Sequence, residues 1–196
     1  MKILKIAGAT LVALAVVLTA VGFLLPSRQR ITRSVEVKAP VSAVFPLLNN
    51  LKTGWTQWNP FVSPDDKTYQ ISYSGPEEGV GASQAWDGES TGEGKMKILR
   101  ADPTRGIDYE VVLMHGSYRM ESSFTCEPKG QVTVVTWTCD TELGNNPLQR
   151  YFGLTMDGFL GGEMQKGLDT IRAKSEAAAL ASAPAPAASP APTATP

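Results

Sequence analysis

Between Thr68 and Asp140 the chain is cut into short runs by glycine-rich breaks, and this punctuation limits its fold more than any other feature. "GPEEGVG", "DGESTGEG", "ADPTRG" and "EPKG" hold the residues that tight turns require. They separate six stretches that read as strands: Thr68 to Ser74, Ala82 to Asp87, Lys95 to Arg100, Gly106 to Met114, Tyr118 to Glu127 and Gln131 to Asp140. The connections are too short for parallel crossovers, which need a dozen residues or more, so the strands form an antiparallel meander. Upstream, "ITRSVEVKA" alternates at Ile31, Val35 and Val37 and predicts one further half-buried strand.

The period changes after Pro147. Leu148, Phe152, Met156, Phe159, Leu160, Met164, Leu168 and Ile171 recur at helical spacing and predict one apolar stripe on a long helix. Gly153, Gly158, Gly161, Gly162 and Gly167 lie inside it, each less favourable than alanine by about 1 kcal/mol. Either the helix packs closely on the sheet there or space is left beside it for a ligand. "VSAVFPLLNNL" after Pro40 predicts a short helix with Ser42 as N-cap and Pro46 in or near its first turn. The result is an α+β chain of order β-α-α-β6-α, a curved antiparallel sheet gripping a long C-terminal helix.

Both ends differ from this domain. Ile6 to Leu25 carries no charge, follows Lys2 and Lys5, and is closed by Pro26. Twenty apolar residues match the hydrocarbon thickness of a bilayer. The run is read as an uncleaved, single-pass anchor; cleavage as a signal after Ala20 is the alternative, with Leu18 standing where a small residue is preferred. Basic residues flank the run on both sides, so their count chooses no topology. The very short basic head favours a cytoplasmic N-terminus and an extracytoplasmic (periplasmic) domain. Residues 1–30 are thus expected to form the anchor and a basic juxtamembrane segment, 31–176 the domain, and 177–196 a disordered Ala/Pro-rich tail. All five charges before Ser34 are basic, which leaves 13 basic against 19 acidic residues and a net charge of about −6. That balance argues against a nucleic-acid-binding domain, which would show a basic face. The juxtamembrane arginines Arg28, Arg30 and Arg33 are expected at lipid headgroups.

The segments "VEVKAPVSAVFPLL", "WTQWNPF", "YSGPEEGVGASQAWDGESTGEGKMKI", "VTVVTW" and "KGLDTI" stand in this order along the chain. Together they resemble the polyketide cyclase/dehydrase branch of the START/Bet v 1-like (SRPBCC) superfamily. The resemblance covers residues 31–176 and implies the helix-grip fold, with a hydrophobic cavity between sheet and long helix. Pro46 and the glycines at 158, 161 and 162 depart from the family pattern. One fold of this kind carries many activities, so no single reaction is implied.

The motifs for chemistry are sparse. His115 is the only histidine and no HExxH or CxxC spacing occurs, so a multi-histidine metal site is excluded and no cofactor is expected. Glu77, Glu78, Asp87, Glu89 and Glu93 fall at turns and read as solvated carboxylates. "GPEEGVG" lacks the lysine of a phosphate-binding loop. Aromatic residues are the better lead, because ligand pockets are mostly apolar with few polar groups. The expected ligand-binding set is Trp55, Trp58, Phe61, Trp86, Tyr109, Phe152, Met156 and Phe159. Trp55, Trp58 and Phe61 would sit at the mouth of the grip, as plug or as ligand contact. With Trp58 partly open, its loss would cost only about 1 to 2 kcal/mol. The leading expectation is a membrane-tethered binder of a small apolar ligand, with the bilayer engaged through residues 6–25. A cyclase, dehydratase or hydrolase using the same cavity, and a protein-interaction module, are the alternatives. Cys126 and Cys139 are placed opposite about Val132 and Arg119, too far apart to bridge, and so are expected as free thiols.

Overall fold

The computed structural model describes residues 2–62, 65–116 and 118–182. Helix α1 spans Lys2–Leu24; strand β1, Arg28–Val37; and helix α2, Val41–Asn49. A single 3-10 turn follows at Trp55–Gln57. Then come β2 (Gln70–Ser74), β3 (Ser83–Asp87), β4 (Gly94–Asp102), β5 (Gly106–Leu113), β6 (Tyr118–Lys129) and β7 (Val132–Glu142). Helix α3 runs from Pro147 to Ser182. The seven strands form one antiparallel sheet in the order β1-β7-β6-β5-β4-β3-β2. Every neighbour pair except β1–β7 is joined by a short turn, as the glycine punctuation predicts.

Alternation sets the inner face. Ile31, Val35 and Val37 of β1 point inward, as do Phe124 and Cys126 of β6 and Val135, Trp137 and Cys139 of β7. Met164, Leu168 and Ile171 of α3 pack on them with no more than 1% of their surface exposed. Burial of this kind contributes roughly 1.5–3 kcal/mol for each large apolar side chain.

Four expectations need correction. The cap of α2 is Pro40, not Ser42, and Pro46 lies in the second turn, where it removes a helical hydrogen-bond donor. Strand β1 begins at Arg28. Arg28 and Arg30 pair with Glu142 and Asp140 on β7, and Arg33 pairs with Asp157 on α3, so the three arginines are also ion-pair partners within the domain. The β6–β7 turn lies at Gly130 (φ +65°) and Gln131, which sets Cys126 opposite Val135 and Cys139 opposite Ser122. The cysteines are nearer than the expected register placed them, yet both remain free and buried. Finally, α3 continues to Ser182, six residues past the expected domain end; the remainder of the Ala/Pro segment, 183–196, lies outside the described residues.

Only half of the expected α3 stripe is buried. Met156, Met164, Leu168 and Ile171 face the sheet, but Leu148, Phe152 and Phe159 are exposed. Glycine explains the difference. Gly153, Gly161 and Gly167 occupy the sheet-facing positions, where Cβ atoms would collide with Leu143, Arg33 and Trp137 respectively. The helix therefore approaches the sheet on a track of small residues and turns Leu148, Phe152 and Phe159 outward. Gly158 and Gly162 face open space.

Candidate functional site: the aromatic interior of the grip

The loop after α2 turns back into the space between sheet and α3. Asn50 starts it: its carbonyl accepts from the Gly54 and Trp55 amides, and its side chain accepts from those of Lys52 and Thr53. Gly54 is required there, because a Cβ would stand 2.5 Å from the Pro46 carbonyl oxygen. The two indoles then reach back to α2. Trp55 Nε1 donates to the Leu48 carbonyl at 2.7 Å, and Trp58 Nε1 donates to the Leu47 carbonyl at 2.8 Å.

Five rings meet in the interior. Trp58 lies with ring centroids 4.6 Å from Trp55, 5.4 Å from Phe124 and 5.5 Å from Trp137. Trp55 meets Tyr109 edge-on at 5.1 Å, and Phe124 stacks on Trp137 at 4.7 Å. Trp137 Nε1 donates to the Tyr109 hydroxyl at 2.7 Å, so the three indoles and the one phenol of the cluster all keep a polar partner. Burial raises the Tyr109 phenol above its ordinary range and keeps it neutral. The Cys126 thiol, on the same inner face, is pushed up to about 12, and burial raises Cys139 too. None of these groups is poised as a nucleophile or base at neutral pH.

Of the residues expected to bind ligand, the structure brings Trp55, Trp58 and Tyr109 into this cluster, with Phe61 at its rim, 6.2 Å from Trp137 and 38% exposed. Met156 is buried on α3. Trp86 is separate, lying across Gly94 at the β3–β4 end of the sheet. Phe152 and Phe159 face away from the grip. Phe124 and Trp137 were not in the expected set, although they carry the cluster's sheet side. Period-two alternation with Ser122 and Cys126, and with Val135 and Cys139, was the signal that could have placed them inward.

The loop closes on α3 at Gly167. A Cβ there would stand 3.0 Å from Trp137, 3.3 Å from Pro60 and 3.4 Å from Trp58. Beside this closure, an open groove of about 580 Å³ runs between α2 and the end of α3, lined by Pro40, Ala43, Pro46, Leu47, Ala178 and Ala179 among others. Among the described residues, the side-chain oxygens of Asn49 and Ser175 are buried without a hydrogen-bond partner. His115 is exposed at the β5–β6 turn, beside Glu93, and Glu77, Glu78, Asp87 and Glu89 are exposed. No group of three or more His, Cys, Asp or Glu placed to hold a metal occurs among the described residues.

A family model described as polyketide cyclase/dehydrase and lipid transport matches residues 28–176. The chain belongs to that family. Solved structures agree on the fold of this polyketide cyclase/dehydrase member. Truncated norcoclaurine synthase from Thalictrum flavum is 14% identical, with a TM-score of 0.57 over 74% of this chain and 91% of that one. A hypothetical protein from Helicobacter pylori is 8% identical, with a TM-score of 0.56 over 75% and 88%. Ara h 8.0201 is 11% identical, with a TM-score of 0.50 over 74% and 97%. At these identities the likeness is one of fold alone, the Bet v 1-like fold. No curated protein matches the chain.

Proposed function

We propose that this polyketide cyclase/dehydrase-family protein is a membrane-tethered binder of a small apolar molecule, held in the grip where Trp55 and Trp58 lie. One observation carries the reading. Of the five rings that fill the grip, Tyr109, Phe124 and Trp137 belong to the sheet, whereas Trp55 and Trp58 enter from a loop. A ligand that displaces Trp58 and Phe61 meets a ready apolar wall without disturbing the sheet. The groove between α2 and α3 opens beside Leu47, whose carbonyl holds Trp58, and serves as the entrance. Ser175 shares a helix face with the groove-lining Ala178 and Ala179, and its unsatisfied hydroxyl suits a ligand with one polar group. The tether is α1, an apolar helix long enough to cross a bilayer and almost wholly exposed.

Photocrosslinking in nanodiscs tests this reading. A long-chain fatty acid carrying a diazirine should label the Trp58–Phe61 loop and the Leu47 or Ala178 walls, as mapped by peptide mass spectrometry. Label confined to α1 would show contact with bulk lipid alone and end the binding reading.

A further inference from the structure

The start of α3 has an apolar outer face that none of the described residues covers. Leu148 is 74% and Phe159 73% exposed, and Phe152 and Leu154 are also open. Leu148, Phe152 and Phe159 fall on one helical face, a stripe roughly 16 Å long at 1.5 Å per residue. Soluble surfaces scatter such residues singly; a contiguous row marks a contact surface.

Its neighbour identifies the partner. The first turns of α3 are docked on the end of α1. A Cβ at Gly22 would stand 2.6 Å from Pro147, and the Tyr151 hydroxyl donates to the Leu18 carbonyl at 2.7 Å. Arg150 donates to the carbonyls of Phe23 at 2.8 Å and Leu25 at 3.1 Å, and lies over the Phe23 ring. Leu18 is seven residues inside the end of the apolar run, roughly 10 Å along the helix. Tyr151 is therefore held level with the membrane-facing part of α1. The charge pattern agrees. From Pro147 to Gly162 the only charged residues are Arg150 and Asp157, and both are partnered, Asp157 by Arg33 at 3.0 Å. Beyond that point charges return at Glu163, Lys166, Asp169 and Arg172.

We propose that the first four turns of α3 lie in the headgroup and upper acyl layer of the bilayer, with Leu148, Phe152 and Phe159 facing lipid. This rests on α1 spanning the membrane. An interfacial helix needs such an apolar face beside polar groups that stay satisfied, and Tyr151 and Arg150 are suited to the boundary. Docking then occurs through two elements, the span and the α3 face, which holds the domain against the membrane surface.

Nitroxide labels on single introduced cysteines in the full chain, reconstituted in phosphatidylcholine–phosphatidylglycerol vesicles, test the proposal. Cys126 and Cys139 are buried and their raised thiols leave the new site to react first. Collision rates with oxygen, which concentrates in lipid, are compared with those for a water-soluble nickel chelate. Labels at Phe152→Cys and Phe159→Cys should favour oxygen by roughly threefold or more over labels at Lys97→Cys and Arg172→Cys, as lipid-facing positions do. Val12→Cys reports the span itself. If Val12 is in lipid while 152 and 159 behave like Lys97, the α3 contact is refuted and the span stands. If 152 and 159 are shielded from both quenchers, a protein surface covers the face and the proposal fails. If Val12 is not in lipid, the span falls and this contact falls with it.

Discussion

Replacing Trp58 with alanine tests the packing of the grip directly. The ring is 4% exposed, touches three other aromatic rings and donates to Leu47. Removing a buried tryptophan takes away on the order of 150 to 200 Å² of buried area, about 4 to 5 kcal/mol at 25 cal/mol per Å². Measured aromatic-to-alanine losses of about 3 to 5 kcal/mol agree, and the lost indole hydrogen bond acts in the same direction by about 1 kcal/mol. We expect a net loss of about 4 kcal/mol, which for a domain of this size lowers Tm by about 8 to 16 °C. The hole left has the shape of the missing ring, bounded by Trp55, Phe124 and Trp137. Added indole should refill it and, at ten times its Kd, restore about 1.4 kcal/mol, with no such effect on the wild type. Circular-dichroism melts of the full chain in dodecyl maltoside, with and without indole, read both effects. A loss below about 1.5 kcal/mol without indole rescue would place Trp58 outside the grip and refute the packing described.

Two further outcomes follow from local geometry. Gly162→Ala, in open space on a helix, should gain about 1 kcal/mol, whereas Gly167→Ala should lose stability because its Cβ presses on Trp137, Pro60 and Trp58; equal shifts in chemical denaturation would refute the close approach of loop and helix. Asp66 accepts from the Thr68 hydroxyl and amide and from the Ser90 and Thr91 amides, and the Thr68 hydroxyl, followed by the Thr91 amide, holds its carboxyl below the usual carboxylate range. Its folded pKa is depressed, so its contribution is complete above the unfolded value near 4 and fades as pH falls below it. Denaturation midpoints measured from pH 6 to pH 2 should therefore drop more for the wild type than for Asp66→Asn, and parallel curves would remove Asp66 from this role.

The strands were legible because their breaks are chemical. A glycine with positive φ, as at Gly75, Gly79, Gly106 and Gly130, marks a turn whatever packs around it. The α3 stripe misled for the opposite reason. Apolar periodicity assumes that the larger side chains face the core, but here Gly153, Gly161 and Gly167 do, and Phe152 and Phe159 rotate outward. Of the expected site, Trp55, Trp58 and Tyr109 converge, whereas the spacing of Trp55 and Trp58 says nothing about whether their loop stands open or folds inward. That depends on carbonyls of Leu47 and Leu48 left free to accept beside Pro46, a tertiary fact. The cysteine register differs from the expected one because "EPKG" has the composition of a turn throughout, yet Pro128 and Lys129 remain in the ladder, paired with Thr133 and Val132.

The pairing of β1 with β7 also governs how the chain is made. Their facing ends, Val37 and Thr133, are separated by more than ninety residues, whereas every other strand meets its sequence neighbour. At roughly 5 to 20 residues per second, synthesis leaves β1 waiting on the order of 5 to 20 s for its partner, next to the anchor and with Arg28 and Arg30 lacking their β7 carboxylates. The meander from β2 to β7 can form by local hairpins in that interval. The barrier then lies in one long loop closure, and α3, synthesised after β7, seals a sheet that β1 has just completed.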